Sequence, residues 1–367
     1  MKKLLLTSAL AGATLVASNA IAQTTVTGNL DISYRAVSND RADKKGENFR
    51  GFGKESQINI ANKGKLSNGM DYAAGFSLEF DGNDTGVEAT GAHTNLTGGI
   101  NGENTYIDLI SGNTTITFGA DHIQNPDSHA HINPAGVGYI TGYTTGVAGL
   151  YPTGANSPYN AYGAGVVQTL PGFGKISANY VPNPTFASSN VSGTVGPEIG
   201  NEHKAASYDG AAESAYEFGF VGDFGVKGLN VLAFRMNETN KQDNISSTNK
   251  TKGHRVGASY NFGQVTVGLD MVETTSAGNA TTASVEVDGK AASVTFAATK
   301  DLSLGLTYGK SDSSAAGTVD EKIKLVAIGY NLGPVAVNAV VRDVENQGGL
   351  TANGDSQDAI VRLSTKF

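Results

Sequence analysis

The chain ends Val361-Arg362-Leu363-Ser364-Thr365-Lys366-Phe367, apolar or small residues alternating with polar ones. A strand has a side-chain period of two, so Val361, Leu363, Thr365 and Phe367 share one face while Arg362, Ser364 and Lys366 share the other. This is the pattern of a strand with an apolar medium on one side and water on the other. It decides the fold, because the same alternation recurs along nearly the whole chain.

The opposite end reads differently. Lys2 and Lys3 precede an apolar stretch from Leu4 to Val16, and Ala20-Ile21-Ala22 forms an A-x-A cleavage site before Gln23, so residues 1–22 read as an export signal peptide. The apolar run is too short and too rich in Ala, Ser, Thr and Gly for a membrane helix, and no later segment reaches the length required. The chain has 48 glycines, 14 Tyr, 14 Phe, no Trp and no Cys, and its mean hydropathy of -0.20 is too polar for a helical membrane protein. A membrane β-barrel reconciles these facts, since only every second strand residue must be apolar. Lys2 and Lys3 are two of the 26 basic residues, so residues 23–367 carry 24 against 34 acidic ones. Such acidity excludes a phosphate-rich nucleic acid as the expected partner.

Past Gln23 the sequence predicts sixteen strands, at 24–35, 55–64, 69–81, 103–111, 114–122, 161–170, 173–182, 213–222, 227–237, 252–261, 264–273, 290–299, 301–310, 321–331, 334–344 and 357–367. Val26, Leu30, Ile32 and Tyr34 oppose Asn29, Asp31, Ser33 and Arg35, and Leu302, Leu304, Leu306 and Tyr308 oppose Ser303, Gly305 and Thr307. Short turns carrying Gly, Asn, Asp or Pro, such as Pro171-Gly172, Phe262-Gly263 and Leu332-Gly333, alternate with long polar connections. An even strand number, short turns at one end and long loops at the other are the layout of an antiparallel transmembrane β-barrel of the bacterial outer membrane, one domain over 23–367 with lipid as its surroundings. A soluble sandwich also alternates, but it seldom strings sixteen strands into one meander. Aromatics are expected in two outward girdles, Phe173, Phe224, Tyr260, Phe262, Tyr330 and Phe367 at the turn side and Tyr34, Phe80, Tyr180 and Tyr308 at the loop side.

Ser56-Gln57-Ile58, then Leu66, Asn68-Gly69-Met70, Phe76 and Glu79, resemble the strand-turn-strand signature of proteobacterial general porins, in which a pattern close to S-R-I-x-F-x-G leads into L-x-N-G-L. Thr115-Ile116-Thr117-Phe118-Gly119-Ala120-Asp121 is similar to the family's T-x-T-x-G-R-Q strand. Gln57 and Ala120 stand where that family has arginine. A closing strand ending on an aromatic, here Phe367, resembles the assembly signal of outer-membrane barrels. The resemblance implies a homotrimer that admits small hydrophilic solutes and ions by passive diffusion, with the third loop, 123–160, folded inward to narrow the pore.

On that reading the constriction is weakly charged. Asp127 is the one acidic residue within 123–160, and the expected eyelet consists of Asp121, Asp127, Tyr139, Tyr143, Tyr151 and Tyr159. Higher in the lumen, Arg35, Glu79, Glu217, Arg235, Arg255, Asp270, Arg342 and Arg362 fall on expected inward faces. His122, His129 and His131 match no structural zinc spacing, and Asp81 to Gly86 imitates the start of a calcium loop whose twelfth position is Ala92 instead of Glu. No metal or cofactor is therefore expected beyond adventitious calcium at the external loops. No Gly-x-Ser-x-Gly elbow or phosphate-binding loop occurs. The alternatives are an outer-membrane barrel enzyme of protease or lipase type and an adhesin-like surface barrel.

Overall fold

The computed structural model describes residues 23–39, 49–79, 101–119, 163–181, 214–241, 248–276, 284–346 and 355–367. They form sixteen strands: β1 (Gln23–Asn39), β2 (Phe49–Lys65), β3 (Asp71–Glu79), β4 (Asn101–Ser111), β5 (Thr114–Gly119), β6 (Gly163–Leu170), β7 (Gly174–Val181), β8 (Ser214–Gly222), β9 (Leu229–Lys241), β10 (Thr248–Asn261), β11 (Val265–Ser276), β12 (Val285–Ala297), β13 (Leu302–Ser313), β14 (Glu321–Asn331), β15 (Val335–Glu345) and β16 (Ser356–Lys366). Each pairs antiparallel with its sequence neighbours, and β1 pairs with β16, so the sheet closes into a barrel. Every expected strand is present.

The β1–β16 ladder that closes the barrel, from Asn39 opposite Ser356 to Asn29 opposite Lys366, ends in one further contact at the seam. Gly28 N donates to Phe367 O at 2.7 Å and Phe367 N donates to Gly28 O at 2.9 Å, one rung below the pairing of Asn29 with Lys366. A Cβ on Gly28 would come within 2.5 Å of the Phe367 ring. The glycine leaves the seat that the terminal ring occupies on the outer surface.

Alternation sorts the rest of the barrel. Leu304, Leu306 and Tyr308 of β13 and Val326, Ile328 and Tyr330 of β14 are exposed on the outside, while Thr307, Leu325 and Ala327 are buried on the inner face. On β1 the outward apolar run extends from Val26 to Tyr34, roughly 27 Å along the strand and about 20 Å across a membrane at the usual tilt. The expected girdle aromatics among the described residues are all outward and exposed; Phe80 lies outside them. Several join neighbours in ring contacts, Tyr34 with Phe52 at 5.2 Å, Tyr180 with Tyr216 at 5.0 Å and Tyr260 with Phe262 at 4.7 Å.

The short turns share a device. In Asn261-Phe262-Gly263 and Asn331-Leu332-Gly333 the asparagine Oδ1 accepts from the glycine N–H, at 2.7 and 3.0 Å. Asp223 does the same for Gly225 at 2.9 Å. Gly263 and Gly333 hold φ at 97° and 84°, where a side chain is strained. The side-chain acceptor imitates a backbone turn and sets where each hairpin reverses.

Strands β9, β10 and β12 extend farther toward the loops than expected, to Lys241, from Thr248 and from Val285, and two further features differ from expectation. β1 and β2 continue to pair up to Val37 opposite Phe49, beyond the predicted 35 and 55, because the backbone ladder persists through Arg50-Gly51-Phe52-Gly53-Lys54, whose glycines and charges hide a strand signal. Arg235 faces outward, not into the lumen. It lies opposite His254 and Phe218, while Met236 lies opposite Glu217 and Phe234 opposite Arg255. Val231 to Phe234, just before it, is apolar on both faces, so the alternation carries no phase there, and the neighbouring ladders set it.

The seam predicts an asymmetry between adjacent residues. Phe367→Asp removes about 2 kcal/mol of apolar contact with lipid and places a charge on the outer surface, so the yield of folded, heat-modifiable barrel should fall severalfold. Lys366→Asp, on the water side, should change it little. Electrophoresis with and without heating reads both, and equal yields would contradict the face assignment.

Candidate pore lining

The inner wall is built from alternate residues of sixteen strands, and its polar side chains meet in small closed groups. On β1, β15 and β16 the guanidinium Nη2 of Arg342 lies 2.6 Å from Asp358 Oδ2 and that of Arg35 lies 3.3 Å from the same oxygen. Arg362 Nε approaches Asp31 Oδ1 at 4.0 Å. Part of the way round, Arg255 Nε donates to both Asp270 oxygens at 2.9 Å, and Arg255 Nη2 also donates to Asp270 Oδ2. Neither side chain of that pair is exposed. On the arc between them Asn179 Nδ2 donates to Glu217 Oε2 at 3.0 Å, and Thr117 Oγ1 donates to Asp108 Oδ1 at 2.6 Å.

The arrangement brings Arg35 and Arg342, two of the residues expected on the lumen wall, to one carboxylate, sets Arg362 beside another, and pairs Arg255 with Asp270. Glu79 and Glu217 also face inward; Glu79 sits opposite Gln57. Asp358 is the shared partner of Arg35 and Arg342, and Asp31 the neighbour of Arg362. Asp358 shares the β16 phase of Arg362, and Asp31 the β1 phase of Arg35, so alternation alone could have placed both. Asp121, Asp127, Tyr139, Tyr143, Tyr151 and Tyr159, with the segment 123–160, lie outside the described residues, as do Ala120, the loop at 81–92 and every histidine except His254. His254 is outward, its Nε2 3.6 Å from Glu273 Oε2.

Apolar residues also line the wall. Leu232, Phe234 and Met236 of β9 and Ile323 and Leu325 of β14 point inward and are buried. Ile323 packs with Val272, Ala291 and Val344, and Leu325 with Ala327, Val340 and Ile360. Polar groups on the wall are thus held between apolar patches, which fixes their rotamers and strengthens their pairing. Among the described residues one group of acids is close enough to share a cation: Glu273, Glu286 and Asp288, with donor atoms within 4.8 Å, on the outer face near the loops.

Chemically, the wall presents fixed, mostly compensated charges to a water-filled interior. Comparisons with known proteins agree with this geometry. A family model described as Gram-negative porin matches residues 7–349. No curated protein matches the chain. Among solved structures, an anion-selective porin from Comamonas acidovorans superimposes with a TM-score of 0.68 at 14% identity, over 94% of this chain and 100% of that one. A loop L8 deletion mutant of OmpT, an outer membrane protein of Vibrio cholerae, gives 0.65 at 14%, over 94% and 99%. A triple mutant of Rh. blastica porin gives 0.58 at 15%, over 94% and 100%.

The buried pair on β10 and β11 yields a prediction. Asp270→Asn leaves a buried guanidinium facing a neutral amide and should cost about 3 kcal/mol or more. Replacing both partners with Arg255→Met and Asp270→Leu should cost less than either single change. Denaturation of the folded barrel in guanidinium, followed by tyrosine fluorescence, reads the difference. Additive losses in the double variant would contradict the pairing.

Proposed function

The chain belongs to the Gram-negative porin family, and from that premise we propose that it works as a homotrimer through which small hydrophilic solutes and ions diffuse passively, with residues 1–22 removed on export. It is a porin of the outer membrane, and its barrel provides the channel. The observation that carries the proposal is the closed ring of sixteen strands with polar groups inside and an apolar belt outside. A ring of this size leaves an aqueous channel. Diffusion through it requires no catalytic step.

In the proposal, 123–160 folds into the lumen, with Asp121, Asp127, Tyr139, Tyr143, Tyr151 and Tyr159 at the narrowest level. Arg35, Glu79, Glu217, Arg255, Asp270, Arg342 and Arg362 line the wall around it. Phe367 is the assembly signal, which its outward seat over Gly28 supports. The anion selectivity of the Comamonas porin is not carried over. Here Arg35, Arg342 and Arg255 are in ion pairs with carboxylates and Arg362 lies near one, and 123–160 contains a single acidic residue. The field across the lumen is therefore weak, and the pore discriminates modestly between ions.

Planar-bilayer recording tests this. The protein should give stepwise ohmic conductance that grows with salt, and a small reversal potential in a salt gradient. Gln57→Arg places a cation beside Glu79 on the wall, where low-dielectric surroundings focus its field, and should move the reversal potential toward anions. Absence of steps would contradict the channel. Strong selectivity in the unmodified protein, or no shift with Gln57→Arg, would contradict the weak-field account.

A further inference from the structure

The inner wall changes sign toward the short-turn end of the barrel. Lys63 on β2 shares the inward phase of Gln57 and Asn59, Lys175 on β7 that of Ser177 and Asn179, and Lys366 on β16 that of Arg362. All three are exposed and lie next to a turn or to the chain terminus. The residues opposite them are uncharged: Gln23 and Ala73 for Lys63, Thr169 and Val221 for Lys175, and Asn29 for Lys366. Among the described residues none of the three is in an ion pair. The carboxylates at this end are engaged elsewhere. Asp71 Oδ1 lies 2.7 Å from Lys65 Nζ, Asp301 Oδ2 lies 3.7 Å from Lys300 Nζ, Asp223 Oδ1 accepts from the Gly225 N–H, and the terminal carboxylate of Phe367 accepts from Gly28 N. With Lys227 in the β8–β9 turn, six of the 24 basic residues of 23–367 stand here against three of the 34 acidic ones, which leaves 18 against 31 for the rest. Deeper in the lumen the sign reverses on one arc: apart from Lys175, β3 to β8 contain no lysine or arginine, and Glu79, Asp108 and Glu217 face inward.

We propose that Lys63, Lys175 and Lys366 form a collar that binds multivalent anions at the short-turn mouth, the periplasmic end of an outer-membrane barrel, and that an anion held there restrains ion flow. The proposal rests on the porin reading and adds a ligand class to it. The three lysines stand on β16, β2 and β7, no two of which are neighbours in the ring. A compact monovalent ion therefore meets one ammonium group at a time. A multivalent anion responds to their summed potential in proportion to its own charge, and the low-dielectric walls of a water-filled opening focus that potential. Beyond the collar Glu79, Asp108 and Glu217 set the opposite sign, so an anion gathered by the lysines is held at the mouth and not drawn inward along that arc.

The test uses the full, folded protein and inorganic tripolyphosphate as the probe. In planar bilayers at about 0.02 M salt, the concentration that halves the conductance should be lower from one chamber than from the other by about tenfold or more. At about 1 M salt, where charges are screened within about 3 Å, the difference should vanish. The variant carrying Lys63→Gln, Lys175→Gln and Lys366→Gln should lose the difference at low salt, the corresponding lysine-to-arginine variant should keep it, and Lys310→Gln at the loop end should not alter it. If the triple variant fails to fold, Lys175→Gln alone should reduce the difference by about twofold. Equal block from both chambers in the unmodified protein, or an unchanged difference in the glutamine variants, would overturn the proposal. Equilibrium dialysis against the protein in detergent micelles reads the same site without conduction: tripolyphosphate should bind, and the triple glutamine variant should bind it about tenfold more weakly. Absence of binding, or binding that this variant retains, would overturn the proposal. Binding that is lost in the variant, from a protein that gives no conductance steps, would uphold the collar and contradict the channel, so the two failures are distinguishable.

Discussion

Every backbone N–H and C=O that meets hydrocarbon must be hydrogen-bonded within the protein, and for a sheet this is possible only if its two edges meet. In this chain the constraint falls on β1 and β16. Their ladder runs from Asn29 opposite Lys366 to Asn39 opposite Ser356, and the Gly28–Phe367 pair extends it by one rung. Once that seam is closed, the alternation along each strand has a defined inside and outside, and the division between lipid-facing and water-facing side chains follows.

Closure also explains features that would be costly elsewhere. A bulge on β4, where the pairing jumps between Gly75 and Ser77 and Asn104 takes φ 48°, keeps the phase of β3 while letting β4 bend. The Asn104 side chain donates to Ser77 Oγ at 3.1 Å, and Ser77 Oγ donates to Asn59 at 2.7 Å. Glycines at positive φ turn the short-end hairpins except β12–β13, where Thr299 Oγ1 accepts from the N–H groups of Asp301 and Leu302. The buried Arg255–Asp270 pair is tolerated because both members are satisfied by each other in a wall flanked by apolar residues. On the outer surface the same alternation carries lysines and aspartates to the rim, where water and headgroups replace hydrocarbon.

Much of this architecture was legible in the sequence. Strands such as β1, β3, β11 and β13 alternate cleanly, so their faces could be read without neighbours, and Asn, Gly and Asp marked the turns. The wall charges on clean strands, Arg35, Asp270, Arg342 and Arg362, lie on the inner face for the same reason. Arg235 escaped that logic because β9 is apolar on both sides from Val231 to Phe234 and only its partners fix its phase. The upper ends of β1 and β2 escaped because glycine and charge conceal a strand held by its ladder. The Gly28 seat could not be read from local pattern at all, since it depends on residues more than three hundred positions apart. The expected eyelet within 123–160 depends on how a long connection packs, which alternation does not encode.

The central claim is that water occupies the inside and lipid the outside of one closed ring. The chain contains no cysteine, so single cysteines at 29 to 34 on β1 can be tested one at a time with a membrane-impermeant maleimide in lipid vesicles. The account predicts labelling at Asn29, Asp31 and Ser33 and protection at Leu30, Ile32 and Tyr34. Uniform labelling, uniform protection or the opposite phase would contradict it.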